Sequence, residues 1–291
     1  MNSTSRTRPV SGSLIKLSTP DSNKSQSTFQ SVFDFRKAKK NGQKISMLSV
    51  YDAILARLAL KAGINCLLVG DSVAMVLYGY ESTVFATVEM MAAHVAAARR
   101  GSPKTFLVAD LPFGTFRSGL KSAMKAVETL VRAGASAVKL EGVSGNEKII
   151  LHIVESGIPV MGHLGLTPQS VLGLGGYKVQ GGTPESAHRL IDDAKKLEDL
   201  GAFSFVLECA SKEVGTKIST NISIPVIGIG AGAGVDGQVL VASDLLGFSN
   251  GPMPRFVRKY LDGETLVSNA FGEFLQDIEN GDYPSDSESY D

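Results

Sequence analysis

The sequence has no tryptophan, and its 291 residues include only 2 cysteines and 4 histidines. Cys66 and Cys209 are too few for a disulfide framework or a cysteine zinc site. The formal net charge is zero, so no basic surface is expected to bind nucleic acid. No apolar run is long enough to cross a membrane. These absences predict a globular protein with neither nucleic acid nor a membrane among its partners.

What the sequence does contain is enough apolar material for a large core. Hydrophobic residues make up 43% of the chain and charged residues 20%, as in ordinary globular proteins. A length of 291 residues is long for one average domain but normal for a single α/β barrel. Composition and length therefore favour one large domain.

The two ends of the chain differ from its middle. Residues 1–28 are rich in serine and threonine and contain one acid, Asp21, among several basic residues. This composition fits a mitochondrial transit peptide or a disordered segment, so the expected location is mitochondrial or, alternatively, cytoplasmic. At the other end, residues 264–281 have the apolar spacing of a helix that packs on the barrel, and residues 282–291 form an acidic tail.

Five short apolar runs each lead into polar residues that can do chemistry. A short apolar run bounded by turn residues is typical of a strand buried on both faces, as in a parallel sheet. The polar residues at these strand ends are Asp71, Ser72, Asp110, Lys139, Glu141, His163 and Glu208. Such a row of acids, bases and a cation indicates the rim of an active site.

Strand and helix patterns alternate along residues 29–263, with a glycine closing several helices just before the next strand. Repeated alternation implies parallel strands joined by right-handed crossovers. About eight such units close into a (β/α)₈ barrel, whose chemistry lies at the carboxyl ends of its strands. The predicted fold class is therefore α/β, a TIM barrel, and an open doubly wound sheet is the rival fold.

Charge balance at this rim predicts a metal ion. Lys139 and Glu141 lie on the same side of one strand, while Asp71, Asp110 and Glu208 arrive from other strands. Carboxylates at close range cannot all stay ionised unless positive charge offsets them. Lys139 offsets one of them, and a divalent cation would offset two more. A donor set made only of oxygen favours Mg²⁺ over zinc.

Each of these residues also has a purely structural interpretation. Asp71 and Asp110 could cap the helices that follow them, because aspartate is a common N-cap. Lys139 and Glu141 could form a structural ion pair, while a histidine here could be a structural hydrogen-bond donor. Glu208 is the hardest to explain structurally, because an isolated buried carboxylate is costly. The coincidence of these residues at strand ends favours a functional site.

Several stretches of the sequence resemble the ketopantoate hydroxymethyltransferase family, in order, from about residue 30 to about residue 260. The longest of them are Val138-Lys139-Leu140-Glu141-Gly142, Gly162-His163-Leu164-Gly165-Leu166-Thr167-Pro168-Gln169-Ser170 and Gly175-Gly176-Tyr177-Lys178-Val179-Gln180-Gly181. Shorter ones are Val69-Gly70-Asp71-Ser72, Ala109-Asp110-Leu111-Pro112, Leu207-Glu208-Cys209 and Ile227-Gly228-Ile229-Gly230-Ala231-Gly232.

This resemblance implies a magnesium-dependent barrel of the phosphoenolpyruvate/pyruvate superfamily. Such an enzyme would transfer a hydroxymethyl group from 5,10-methylenetetrahydrofolate to 3-methyl-2-oxobutanoate through an enolate. The product would be 2-dehydropantoate, for pantothenate and coenzyme A synthesis. The partners implied are the keto-acid, the folate and further copies of the chain, since relatives form homo-oligomers.

The resemblance also implies roles for the strand-end residues. By motif position, Asp71 and Asp110 would hold Mg²⁺, with Glu141 as a third ligand or acting through water. Glu208 would be the catalytic base. The keto-acid site would comprise Asp71, Ser72, Asp110, Lys139 and His163.

Two other functions stay open at this point. Another enzyme of the same superfamily, a magnesium-dependent carbon–carbon lyase or mutase, would share the metal rim but lack the long motif of residues 162–181. A non-catalytic binding barrel could use the glycine-rich turn of residues 228–233 to hold an anion. A lyase or mutase would differ from a hydroxymethyltransferase in not depending on folate. A binding barrel would differ from both enzymes in not exchanging protons of a branched keto-acid.

Overall fold

The computed structural model of the chain describes residues 28–249 and 253–290. Within these ranges, eight parallel strands form a closed barrel in sequence order, with the last strand paired to the first. The strands are β1 (Ile45–Ser49), β2 (Cys66–Val69), β3 (Phe106–Asp110), β4 (Ala137–Glu141), β5 (Val160–Gly165), β6 (Ser204–Glu208), β7 (Val226–Ile229) and β8 (Gly237–Val241). The predicted TIM barrel is confirmed. The rival open sheet is excluded, because β1 and β8 would then be free edges.

Within the described residues, one α-helix precedes β1, seven lie between strands and two follow β8. They are α1 (Val32–Lys40), α2 (Ala53–Lys61), α3 (Val73–Val76), α4 (Val88–Gly101), α5 (Leu120–Ala133), α6 (Glu147–Glu155), α7 (Pro184–Asp199), α8 (Lys212–Asn221), α9 (Ala242–Leu246) and α10 (Gly263–Asn280). Side chains of Asp52, Thr87, Thr183 and Ser211 accept backbone N–H groups at the starts of α2, α4, α7 and α8. Gly134 adopts the left-handed conformation that ends α5.

One strand is longer than the sequence predicts. The apolar pattern places its end at Met161, whereas β5 continues to Gly165 and includes His163. A Cβ atom at Gly162 would lie 2.3 Å from Leu197 Cδ1 of α7, so the glycine allows this helix to pack on the strand. His163 therefore belongs to the barrel wall rather than to the loop after it.

Two layers of apolar side chains hold the barrel together. One layer fills the space between the strands and the helices, and the other fills the barrel interior. Near the amino ends of the strands, the ring of Phe35 from α1 packs edge-on against Phe29, Phe106 and Phe203. Because α1 closes this end of the barrel, the carboxyl ends of the strands are the side that can hold a site.

The C-terminal helix differs from its expected packing. Helix α10 is present, but in the single chain its apolar side chains are exposed, namely those of Leu266, Val267, Phe271, Phe274, Leu275 and Ile278. The helix approaches the rest of the chain at its first residue, Gly263, beside Leu246 and Phe248. The structure therefore corrects the prediction that this helix packs on the barrel of its own chain.

The predicted extension of residues 1–28 lies outside the described residues, apart from Thr28. The acidic tail contains a short 3₁₀ helix at Asp286–Glu288. No helix in the two described ranges is long and apolar enough to span a membrane.

Candidate active site

The register of the barrel brings the predicted residues together at the carboxyl ends of the strands. Asp110 of β3 lies opposite Lys139 of β4, and Glu141 lies opposite His163 of β5. Glu208 is the last residue of β6. The side chains at most 5% exposed in relative terms include those of Asp71, Asp110, Lys139, Glu141 and His163. These five residues, with Glu208 at the edge, form the buried cluster.

Lys139 is the cation of the buried cluster, and no other lysine or arginine in the described ranges is buried. Its Nζ lies 3.0 Å from Asp110 Oδ1 and 3.1 Å from His163 Nδ1. Burial alone would lower the pKa of Lys139, but the carboxylates of Asp110, Glu141 and Asp71 raise it above its ordinary value. Lys139 therefore carries a stable positive charge among the acids.

Asp71 and Asp110 are two acids in one buried place. The backbone N–H of Asp71 donates to Asp110 Oδ2 at 3.1 Å. Burial, and then the charges of Asp110 and Glu141, raise the pKa of Asp71 to about 8. Burial also raises the pKa of Asp110, although Lys139 opposes the change. Lys139 does not fully balance the negative charge of this pair, and such an excess favours the binding of a cation.

His163 connects Lys139 to Glu208. Its Nδ1 lies 3.5 Å from Glu141 Oε1, and its Nε2 lies 3.2 Å from Glu208 Oε2. Burial and then the charge of Lys139 lower the pKa of His163, while hydrogen bonds to Glu141 and Glu208 raise it. Lys139 Nζ and His163 Nδ1 are in contact, and only one of these two nitrogens can donate the proton that lies between them. Because Asp110 also contacts Lys139, we assign the positive charge to Lys139. His163 is then a neutral imidazole whose Nε2–H faces Glu208.

Gln169 is a site residue that sequence reasoning missed. It is buried in a short 3₁₀ helix, Pro168–Ser170, that follows β5. Its Nε2 donates to Asp71 Oδ2 at 2.7 Å and to the carbonyl of Leu111 at 3.1 Å, and its backbone N–H donates to Glu141 Oε2 at 3.0 Å. A glutamine in a predicted loop is common in proteins, so its residue type does not indicate a functional site. Its place in the long motif after His163 was the one sign available.

Tyr51, also missed, holds Ser72 in place. The two hydroxyl oxygens lie 2.8 Å apart, and the Ser49 hydroxyl also donates to the tyrosine oxygen at 3.4 Å. Burial raises the pKa of Tyr51 to about 12, so the phenol stays neutral at physiological pH. Ser72 precedes α3 without a side-chain capping bond, which leaves its hydroxyl available beside Asp71.

The structural interpretations of the acids do not describe their contacts. Asp71 accepts from Gln169 and Asp110 accepts from the backbone of Asp71, so neither side chain caps a helix in these contacts. The N-cap position of α5 is Gly119. Lys139 forms its ion pair with Asp110 and not with Glu141, the acid on its own strand β4. Contacts within the buried cluster and with Gln169 therefore position Asp71 and Asp110, and helix capping does not.

The donor set fits Mg²⁺ held by two carboxylates. Among the oxygens of the site, Gln169 Oε1 accepts no aligned hydrogen bond from the described part of the chain, and Asp110 Oδ1 has its ion pair with Lys139 but no aligned hydrogen bond, so both could meet a cation. Across residues 28–249 and 253–290, no three acids, histidines or cysteines form a ready metal cluster. Glu141 contacts Gln169 and His163, an arrangement that suits the predicted alternative in which it acts on the metal through water, and the ligand set Asp71, Asp110 and Glu141 stays a prediction. Mg²⁺ commonly takes one or two carboxylates and completes its octahedron with water and substrate oxygens.

The barrel is similar in fold to several solved structures. A phosphoenolpyruvate phosphomutase from Streptomyces platensis subsp. rosaceus matches with a TM-score of 0.61 at 14% identity, covering 84% of this chain and 88% of that one. A 2,3-dimethylmalate lyase, described as a PEP mutase/isocitrate lyase superfamily member, matches with a TM-score of 0.58 at 18% identity, covering 90% and 92%. The chain shares its barrel fold with these proteins, and its cluster of acids and bases lies at the carboxyl ends of the strands.

Sequence comparison identifies the family within that class. The chain matches the family described as Ketopantoate hydroxymethyltransferase over residues 30–286. A 3-methyl-2-oxobutanoate hydroxymethyltransferase of Bdellovibrio bacteriovorus is 48% identical over 261 residues, covering 90% of this chain and 99% of the relative. The enzyme of the same name from Coxiella burnetii is 49% identical over 252 residues, covering 86% and 95%. The chain belongs to the ketopantoate hydroxymethyltransferase family and is a transferase, as its motifs predicted.

Proposed function

We propose that this hydroxymethyltransferase takes its one-carbon unit from 5,10-methylenetetrahydrofolate and delivers it to 3-methyl-2-oxobutanoate. The product is 2-dehydropantoate, for pantothenate and coenzyme A biosynthesis. The names of the relatives state the keto-acid and the group transferred, and the folate donor, the metal and the pathway are part of this proposal. The observation that carries it is the buried cluster, in which Asp71 and Asp110 lie beside Lys139.

The buried cluster offers a partner for each polar group of a 2-keto acid. Lys139 is a compact point charge suited to the substrate carboxylate. The hydroxyl of Ser72, held by Tyr51, adds a hydrogen-bonding group beside Asp71. Asp71 and Asp110 would hold Mg²⁺, with Glu141 acting through water. Bound there, the metal would supply Lewis-acid polarisation of the ketone.

Glu208 is the proposed base. Its side chain is 16% exposed, and its Oε2 lies 3.2 Å from His163 Nε2, at the edge of the buried cluster. It takes the hydrogen from the third carbon of the keto-acid as a proton, and the electron pair left behind forms the enolate. That carbon then forms the new bond to the one-carbon unit. Over the whole reaction the bonds from this unit to the folate nitrogens break, and water supplies the hydroxyl oxygen.

Replacing Glu208 by glutamine keeps the size of the side chain and removes the base. We expect Glu208→Gln to slow hydrogen–deuterium exchange at the third carbon of the keto-acid by about 10²- to 10⁴-fold, the usual contribution of a general base. The measurement is NMR in heavy water with Mg²⁺ and without folate. Keto-acid binding should change little, because Lys139 and Ser72 remain.

The matched control for this variant is Glu213→Gln on α8, whose side chain is 71% exposed. Exchange in the control should run at the wild-type rate. Exchange at the wild-type rate in Glu208→Gln would remove Glu208 from the role of base.

A further inference from the structure

Three exposed aromatic rings lie nearly parallel in the segment between β2 and α4. The ring centroids of Tyr78 and Tyr80 are 6.4 Å apart with planes at 17°, and those of Tyr80 and Phe85 are 5.1 Å apart at 21°. The three side chains are 50%, 45% and 46% exposed. We call Tyr78, Tyr80 and Phe85 the aromatic column. Rings that stack together while remaining half open to solvent mark a surface suited to another flat group.

The aromatic column lies beside the buried cluster. Its segment starts at Ser72, and the backbone N–H of Tyr80 donates to the carbonyl of Ala74 in α3 at 3.0 Å. Phe85 ends a short 3₁₀ helix, Thr83–Phe85, that contacts the 3₁₀ helix containing Gln169. Gln169 in turn donates to Asp71. The column therefore belongs to the carboxyl end of the barrel, where the proposed chemistry takes place.

One end of the aromatic column is fixed before any ligand arrives. The hydroxyl of Tyr78 lies 3.2 Å from His94 Nε2, and the His94 ring packs edge-on against Tyr78 with centroids 5.7 Å apart. His94 Nδ1 lies 2.6 Å from the carbonyl of Tyr51, whose hydroxyl contacts Ser72. A platform held in this way loses little conformational freedom when a ligand binds.

The proposed reaction needs a place for a second substrate that is flat at one end. In the proposed mechanism the polar buried cluster holds the keto-acid and the metal, whereas tetrahydrofolate carries a bicyclic pterin ring that needs a different surface. Flat heterocycles bind by stacking on aromatic side chains. Glu81, exposed beside Tyr80, provides a carboxylate that can accept the amino and ring N–H groups of a pterin.

We propose that the aromatic column is the stacking platform for the pterin ring of the tetrahydrofolate cosubstrate, with Glu81 as acceptor for its N–H edge. The inference rests on the proposed folate donor. It assigns a binding site to residues that play no part in holding the keto-acid, and so it separates the two substrates on the protein surface.

The experiment is calorimetric titration of the full chain with tetrahydrofolate, in the presence of Mg²⁺. Phe85→Ala should raise the Kd for tetrahydrofolate about tenfold or more, the effect of losing the ring at the free end of the column, and Tyr80→Ala should do the same because Tyr80 supports that ring. Tyr80→Phe should bind almost as the wild type does, because the ring is kept. Glu81→Gln should raise the Kd severalfold. Folate-free exchange at the third carbon of the keto-acid, measured on the same proteins, reports whether the buried cluster is intact.

The matched control is Phe33→Ala, which removes a ring that is 69% exposed on α1, at the opposite end of the barrel. Its Kd for tetrahydrofolate should equal that of the wild type. An unchanged Kd in both Tyr80→Ala and Phe85→Ala would overturn the platform and leave the folate donor standing. A wild type that exchanges keto-acid hydrogen but does not bind tetrahydrofolate would overturn both. Variants that change the mass of the particle in solution but not the Kd would identify the column as a contact between copies and overturn the platform.

Discussion

At Lys139, one ammonium group balances acids that come from different strands. Its Nζ contacts Asp110 of β3, while Glu141 lies two residues further along its own strand. A buried charge without a partner is strongly destabilising, so the acids and the lysine depend on one another. A substrate carboxylate that meets Lys139 would add to the excess of negative charge at this site, and a divalent cation would offset it.

Removing one acid of the buried cluster should weaken the binding of Mg²⁺ without emptying the site of polar groups. We expect Asp71→Asn and Asp110→Asn to raise the Mg²⁺ concentration needed for half-maximal keto-acid exchange by roughly 100-fold or more, since even groups behind the ligands contribute 10- to 100-fold. The same change should appear in a direct calorimetric titration with Mg²⁺.

Asp52→Asn is the control for both variants, because Asp52 caps α2 with a hydrogen bond from Leu55 and asparagine caps equally well. Its Mg²⁺ requirement should be that of the wild type. Full activity of Asp71→Asn or Asp110→Asn without any divalent metal would contradict the metal site.

The residue types of the site could be predicted, but their partners could not. Asp71, Asp110 and Lys139 were visible because each ends or interrupts an apolar run at the carboxyl end of a strand. The pairing of Lys139 with Asp110 depends on the register between β3 and β4, which one strand's pattern does not specify. Gln169 reaches Asp71 across 98 positions of sequence, and such a contact leaves no local trace.

At the scale of elements, Glu198 joins the end of α7 to the segment before β7. Its carboxylate accepts from Ser223 N at 2.6 Å and from Lys195 Nζ at 2.6 Å. Partial burial opposes ionisation, but these hydrogen bonds lower the pKa of Glu198 to about 2, from an ordinary value of 4.5. A carboxyl group with a lowered pKa stabilises the fold above pH 4.5, and this contribution is lost as the pH falls towards 2.

We therefore expect Glu198→Gln to lower the free energy of unfolding by about 1 kcal/mol at pH 7, a modest value because the site is near the surface. The difference from the wild type should shrink as the pH falls below 4.5. Urea unfolding at several pH values measures it, with Glu185→Gln as a control, because Glu185 is on the same helix and 82% exposed. A difference that is constant between pH 7 and pH 3 would contradict this account.

Helix α10 could be predicted as an element, but its surroundings could not. Its apolar residues recur at helical spacing, which one chain's pattern can show. Which surface covers them is a separate question, and in the single chain they are exposed. On the barrel itself, the short α9 comes directly after β8, and Gln238 of β8 is exposed. We propose that a second copy of the chain covers α10, in keeping with the expected homo-oligomer.

The double variant Phe271→Ser with Leu275→Ser should reduce the mass of the particle in solution, because both side chains belong to the exposed apolar side of α10. Light scattering after size-exclusion chromatography measures the mass. Asn269→Ser, on the same helix, is a control that should keep the wild-type mass. A wild type that is monomeric, or a double variant of unchanged mass, would contradict the proposed contact.

At the scale of the whole molecule, the barrel follows from regular alternation of strands and helices, and this was visible in the sequence. The closure of its amino end by α1 was not, because Phe35 meets Phe106 and Phe203 through contacts far apart in the chain. With that end filled, substrates have access from the carboxyl end alone, where the buried cluster and the aromatic column lie. The carboxyl end of the barrel is thus the one entrance available to both substrates of the proposed reaction.

The most direct test of the account is formation of 2-dehydropantoate by the full chain from 3-methyl-2-oxobutanoate and 5,10-methylenetetrahydrofolate, with Mg²⁺ present or removed by a chelator. The account predicts product only when both substrates and the metal are present, and restoration of activity when Mg²⁺ is added back. Product formed at the full rate in the presence of chelator, or keto-acid turned over without any need for folate, would contradict it.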